Sequence, residues 1–445
     1  MTTFPGSNVT ISSTAYLLTS GEDIFVREGI YLSGATYGIQ GTAGYSVVTV
    51  AGLVEGSRGV SLGGTASGSV SILETGVASG STYGVEVQST STSAIRFSND
   101  GTVIGGTRAL DVNHDGIFFG SNTGVIRSDA GEAVQIVANG GAFSNFGLIE
   151  ARSGNYALEI FNDVSSDAGP EFHNFGTISS FGAIALRMDF NAANTASNHG
   201  VFNGGARFGS EADTFVNRGL VNGDVTLQEG DDLYRGYGGE VDGEVRGGFG
   251  NDTLNGGHER DQLLGGEDND VIRGFGGDDV ILGEVGSDDL YGQDGDDEVY
   301  GGDGFDHIEG GRGDDLLLGE ANNDRIFAGA GNDTIFGGFG RDTMFAGDGS
   351  DEFHWEGVGE SGSFVNRDRV WRFEHGEDKL DFSDVTGPAI NFIGTSFFSG
   401  SGPEMRAYEN AFGNTIIVVD VTGNGSADMF VQVNGGGYTQ DDFIL

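Results

Sequence analysis

The chain has 445 residues, 67 of them acidic and 21 basic, and its formal charge of -46 repels nucleic-acid phosphate and anionic lipid, so its natural partner is a cation. Cysteine is absent, which excludes a disulfide scaffold, a thiolate zinc site and a cysteine nucleophile. Gly (83) far outnumbers Pro (4), a bias that goes with repeats rather than a disordered linker.

The opening stretch through Phe25 has neither a basic start nor an apolar core, so no cleaved leader is expected there. No segment has the length and hydropathy of a transmembrane helix. Residues 1–235 then carry a loose repeat, Asn-x-Gly followed by two mostly apolar residues, beginning at Asn99, Asn122, Asn145, Asn174, Asn198 and Asn217. From Gly52 to Gly219 the glycines recur every 19 to 29 residues, and a short alternating strand follows in most copies (84–87, 109–112, 133–136, 157–160, 185–188). This spacing suits one coil of a parallel β-helix, with asparagine amides forming a ladder down one turn. A β-sandwich with evenly spaced strands is the alternative.

In the alternating strand every second residue should point outward, stacking Ser61, Glu86, Asp111, Gln135, Glu159 and Arg187 in a column. Glu86 and Asp111 become neighbours on adjacent coils, and paired carboxylates can hold a cation or act as acid and base. The plainer reading is a solvated polar face with one ion pair. The region resembles pectate-lyase-like and autotransporter-like β-helices. That resemblance implies a right-handed parallel β-helix whose flank meets extracellular polysaccharide or a cell surface. Other motifs fail. Gly59-Val-Ser-Leu-Gly63 matches a nucleophile elbow at a frequency that chance explains in so Gly- and Ser-rich a chain, and after His258-Glu259 a zincin would need His where Gln262 stands.

From Gly247 to His354 run twelve unbroken nine-residue repeats. Position six is always Asp: Asp252, Asp261, Asp270, Asp279, Asp288, Asp297, Asp306, Asp315, Asp324, Asp333, Asp342 and Asp351. Position eight is always apolar, from Leu254 to Phe353. Glycines at positions one, two and four tolerate positive φ and let six residues turn tightly around an ion. Position one supplies Gly247, Gly256, Gly265, Gly274, Gly283, Gly292, Gly301 and Gly310, whose carbonyls join the Asp carboxylates as hard oxygen donors suited to Ca²⁺. Two repeats make one turn of a β-roll, so Asp residues 18 apart stack on a common face, and five sites per face give about ten ions. The block holds 27 acidic and 5 basic residues, a charge that ten Ca²⁺ nearly neutralise. Glu259, Asp268 and Asn322 replace the Gly of position four, and Glu284, Gln293 and Glu320 that of position two, so weaker or distorted sites are expected there. Upstream, residues 230–235 read as one more half-repeat, and Asp242 is out of register. The block resembles the calcium-binding repeat of the RTX family.

Beyond residue 354 the nine-residue period is lost. The stretches 368–383, 420–428 and 441–445 are similar to the segment that follows the repeats in serralysin-type RTX proteins. Arg372 stands where that family usually has an acidic residue. Asp420, Asn424 and Asp428 have alternating ligand spacing, but an ordinary Gly-Asn turn has it too. The resemblance implies an uncleaved type I secretion signal in 355–445 and a partner in the type I secretion apparatus. A β-helix joined to RTX repeats also resembles the alginate C5-epimerases, although their Asp-Pro-His-Asp motif is absent and Asp111 to Asp115 echo it only loosely.

The expected architecture is all-β: a parallel β-helix (1–228), an RTX β-roll (229–354) and a C-terminal β cap (355–445). The expected role is a secreted or surface-associated calcium-binding protein with a binding or structural β-helix. A polysaccharide lyase or epimerase using Glu86 and Asp111 is the alternative, and a self-associating surface-layer component is a third.

Overall fold

The computed structural model describes residues 2–3, 9–11, 14–18, 22–161, 171–188, 192–361, 366–385 and 390–445; the opening stretch that bears on a leader lies partly outside them. They form two compact units, Met1–Glu244 and Val245–Leu445. Among the described residues the regular structure is almost entirely β, with one short 3-10 turn at Gln440–Asp442, and no helix is long and apolar enough to cross a membrane.

In the first unit the strands pair in parallel, each with its counterpart one coil on. Thr102–Gly105 pairs with Val125–Ser128, which pairs with Leu148–Ala151. Arg108–His114 pairs with Val134–Ala138 and then Tyr156–Phe161. A third strand, not foreseen from the spacing, ends on each motif asparagine: Ile95–Asn99, Phe118–Asn122, Gly141–Asn145 and Glu171–Asn174. This is a parallel β-helix. A sandwich would need antiparallel neighbours, and the described pairings of this unit are parallel.

Inside the coils the alternate residues pack as an apolar column: Val85, Leu110, Val134, Leu158 and Leu186 are fully buried. The polar exception is the asparagine ladder. Asn99, Asn122, Asn145, Asn174, Asn198 and Asn217 are each 0% exposed. Each side-chain amide donates to the next side-chain carbonyl at 2.7, 2.8, 2.8, 2.8 and 2.9 Å in turn. Their second N–H reaches nearby backbone carbonyls, such as Asn122 to Leu148 and Asn198 to Leu220. Inside the ladder the buried amides are thus satisfied by repetition, because one coil supplies the acceptor that its neighbour needs, while at its start Asn99 Oδ1 is buried without a partner.

The second unit winds two parallel sheets. Strands 18 residues apart pair throughout: Val271–Gly276 with Asp289–Asp294 on one side, Val280–Val285 with Glu298–Asp303 on the other. Position eight fills the space between the sheets, and all twelve side chains from Leu254 to Phe353 are 0% exposed. Both sheets continue past the last repeat. Asp368–Trp371 adds to one and then accepts Met429–Val433, while Lys379–Asp381 adds to the other and accepts Phe443–Ile444. An antiparallel meander, Glu404–Glu409, Thr415–Asp420 and Met429–Val433, completes the cap.

Candidate metal centre

Position six is buried in every repeat: the twelve Asp residues are at most 5% exposed. Their carboxylates do two separate jobs. One oxygen, Oδ1, accepts the backbone N–H of the Asp one turn earlier, as from Asp252 to Asp270 at 2.7 Å, Asp288 to Asp306 at 2.9 Å and Asp315 to Asp333 at 2.9 Å. This interlock was not legible as such, because it depends on a stacking only the folded roll supplies. The other oxygen, Oδ2, is buried without a hydrogen-bond partner at Asp270, Asp279, Asp288, Asp297, Asp306, Asp315, Asp324, Asp333 and Asp342. Nine orphaned carboxylate oxygens in one unit are costly unless something positive meets them.

The glycine of position one explains where they point. A methyl group added to Gly301 would stand 2.6 Å from Asp306 Oδ2 and 2.7 Å from the carbonyl of Gly319. At Gly256 the added atom would meet Asp261 Oδ2 at 2.6 Å and the Gly274 carbonyl at 2.7 Å. Position one is Gly in ten repeats and Ala at Ala328 and Ala346, small throughout beside the cradle of oxygens, and its φ is not positive; positive φ falls at most of positions two and four instead. This corrects the reading that all three glycines serve the turn. It also holds for the exceptions: Phe275, Glu284, Gln293 and Glu320 at position two, with Asp268 and Asn322 at position four, all adopt φ between 70° and 85°. Each costs on the order of 1 kcal/mol of strain, but the turns keep their shape.

The turn at Gly256 differs. Glu259 does not adopt the left-handed conformation, and Gly257 N–H donates to Asp261 Oδ2 at 2.6 Å. Gly347 N–H does the same to Asp351 Oδ2 at 2.9 Å. At these two positions the oxygen that is orphaned elsewhere is already used.

Two ligand-like residues were missed. Asp368 Oδ1 accepts from Asp342 N–H at 2.9 Å, and Asp378 Oδ1 accepts from Asp351 N–H at 3.0 Å, so the interlock runs one rung beyond the repeats on each face. Their second oxygens are closed off, by the Trp355 indole at 2.9 Å and by Glu374 N–H at 2.7 Å. The signal was present: Asp368-Arg-Val and Asp378-Lys-Leu repeat the Asp-x-apolar pattern of positions six to eight. Asp213 and Asp232 in the first unit follow it too, with Asp213 N–H donating to Asp232 Oδ1 at 2.6 Å. The half-repeat at 230–235 is therefore built like a true turn, with positive φ at Gln228 and Gly230.

Electrostatics agree with a missing positive charge. Burial, reinforced by neighbouring carboxylates and only partly offset by backbone N–H groups, pushes these Asp residues up to about 6 at Asp261, Asp288 and Asp297. Asp270, Asp306 and Asp333 rise to about 7, and Asp279, Asp315 and Asp324 to about 8. Asp342 and Asp368, buried side by side, are raised too. A divalent cation on the orphaned oxygens removes this penalty, and the donor set of carboxylate and carbonyl oxygens fits Ca²⁺.

The family model of the peptidase M10 serralysin C terminus matches residues 199–445, more than half of the chain. The chain belongs to the serralysin C-terminal family. Its RTX-type repeats make this a calcium-binding protein, in agreement with the oxygen cradles of residues 247–354. Among solved structures 29 chains match this serralysin-type chain. One is the solution structure of the AlgE6R3 subunit from the Azotobacter vinelandii mannuronan C5-epimerase, 22% identical over 40% of this chain and 80% of that one, with a TM-score of 0.19. No curated protein matches.

Outside the roll, the column of the β-helix is in the expected register: Ser61, Glu86, Asp111, Gln135, Glu159 and Arg187 align coil by coil. It is not solvated, however. Glu86, Asp111 and Glu159 are only 4–5% exposed. Arginines lie across them: from flanking positions Arg58 pairs with Glu86 at 2.8 Å and Arg108 with Asp111 at 3.2 Å, and Arg187, the next rung of the column, pairs with Glu159 at 3.3 Å. Ser61 and Gln88 add hydrogen bonds to Glu86 and Asp111. Burial raises the Asp111 pKa against the pull of Arg108. In the cap, both Asp420 oxygens accept backbone N–H groups, from Asn424 at 3.2 Å and Gly425 at 2.7 Å. That loop is an Asx-type turn rather than an ion cage.

Proposed function

We propose that this is a secreted calcium-binding RTX protein whose roll folds when it meets extracellular calcium, and whose β-helix serves as a binding or structural surface module. The work divides among residues 1–228, 229–354 and 355–445, the last carrying the type I secretion signal. The observation that carries the reading is the set of nine buried Asp oxygens without a partner. In the cytosol calcium is scarce and the stacked carboxylates keep the roll open for export. Outside, modules with Kd on the order of 10⁻⁴–10⁻³ M fill, and binding that favours only the folded state drives folding. The Gly carbonyls and Asp carboxylates of 247–354 would hold the ions, which supply charge and no chemistry of reaction.

Equilibrium dialysis at millimolar calcium is expected to count about ten bound ions per chain. A count of one or two would sink the proposal. The roll of residues 247–354 should unfold in EDTA at pH 8.

The enzymatic alternative rests on Glu86 and Asp111, and the salt bridges above give both a structural task. Asp111→Asn is expected to lower the stability of the β-helix by about 1–3 kcal/mol and to leave alginate and pectate unchanged by proton NMR. Unsaturated or epimerised uronate signals made by the native chain and lost in the variant would establish a lyase or epimerase instead.

A further inference from the structure

On one flank of the first unit, three consecutive coils align two outward columns. One is Ser69, Arg96 and Phe119, and the other is Ser71, Ser98 and Ser121, in register across parallel strands. The coils rise by about 4.8 Å. These six side chains line an open groove of 470 Å³.

Arg96 is the charged member. The first unit carries 26 acidic and 10 basic residues, and Arg58, Arg108, Arg127, Arg152 and Arg187 all have carboxylate partners. Arg96, like Arg27, Arg207, Arg218 and Arg235, has none among the described residues. Its guanidinium lies instead over the Phe119 ring, 4.9 Å from the centroid. Phe119 is 37% exposed, and the next rung of its column is Ala142, whose methyl leaves the ring uncovered on that side. Beside the ring runs the hydroxyl row, with Ser98 donating to Ser71 at 3.0 Å.

The three features select one chemistry together. A guanidinium without a carboxylate is a fork for an incoming carboxylate or sulfate. An exposed ring suits an apolar C–H face, and a row of hydroxyls suits a ligand bearing hydroxyls at similar spacing. A bare anion would leave the ring and the serines idle. We propose that this groove binds an acidic glycan, its carboxylate or sulfate on Arg96, a sugar face on Phe119 and its hydroxyls on Ser71, Ser98 and Ser121. The inference rests on the reading of the β-helix as a binding module.

The test is calorimetry on the full calcium-saturated chain, with calcium matched in the syringe. The probes are a hexagalacturonate, a chondroitin sulfate hexasaccharide and cellohexaose. One of the two acidic glycans is expected to bind, with affinity reduced tenfold or more by Arg96→Gln and severalfold by Phe119→Ala, while cellohexaose does not bind. Which acidic glycan binds identifies the anion as carboxylate or sulfate. Circular dichroism confirms that both variants, which alter surface side chains, remain folded. Binding that both variants leave intact would overturn this groove and keep the module. Equal binding of cellohexaose would overturn the role of the anion. No binding by any probe would overturn both the groove and a glycan-binding role for the module.

Discussion

Removing calcium at pH 8 is expected to unfold the roll, and lowering the pH to 5 without calcium is expected to restore part of it. The direction follows from the Asp residues of position six. The folded pKa values of Asp261, Asp270, Asp279, Asp288, Asp297, Asp306, Asp315, Asp324 and Asp333 lie at about 6 to 8, against 3.8 for an unperturbed Asp side chain, because burial and neighbouring carboxylates favour the neutral form. Groups whose folded pKa is raised contribute stability that is full below the unfolded value and is lost as pH rises through the folded one. The calcium-free roll therefore gains β structure on acidification between pH 8 and pH 5, opposite to ordinary acid denaturation. Calcium takes the place of the protons at neutral pH, and each site held at a hundredfold excess over Kd adds about 2.7 kcal/mol. Far-ultraviolet circular dichroism across a grid of calcium and pH reads both effects. Asp315→Asn with Asp333→Asn should weaken calcium binding and yet stabilise the calcium-free form at pH 8. A calcium-free chain equally disordered at pH 8 and pH 5 would contradict the charge argument.

The second large effect is expected in the other unit. Asn145→Ala removes the acceptor of the Asn122 amide and the donor to Asn174. It leaves two buried polar groups unsatisfied in the middle of the ladder, at about 1–3 kcal/mol each. Loss of about 2–6 kcal/mol is expected, read by urea denaturation with hydrogen exchange resolved to residues 95–222. The calcium midpoint of the roll should not move, because its Asp interlocks do not involve this ladder. A change below about 0.5 kcal/mol would mean that the amides exchange partners freely and the ladder does not hold the coils.

How far the fold could be read depended on how strictly each period was kept. In the roll, Asp at position six and an apolar residue at position eight never fail, and both columns lie where the spacing of 18 puts them. In the β-helix the motif asparagines gave the coil and the amide ladder, but the strand ending on each of them was missed: buried Phe97, Phe143, Phe172 and Phe215 stand two residues before their asparagine, and Gly120 and Ala196 interrupt that column. Glu86 and Asp111 were given the right register and the wrong environment. Alternation determines on which side of the sheet a residue lies; whether Arg58 and Arg108 fold down over it depends on side chains from neighbouring coils. Asp368 and Asp378 were missed for another reason. They keep the Asp-x-apolar pattern, but the loops before them are longer, so a search by period stops at Asp351.

The interlock through Oδ1 makes the roll a zipper with a grain. Each Asp clamps the backbone of the turn before it, so the order of one turn is handed to its neighbour in a single direction along each face. In such a one-dimensional chain the position of a defect matters more than its chemistry. A lesion at Asp297, near the middle, should split the roll into two short stretches that melt separately, whereas a lesion at Asp252 should only shorten one that still melts as a whole.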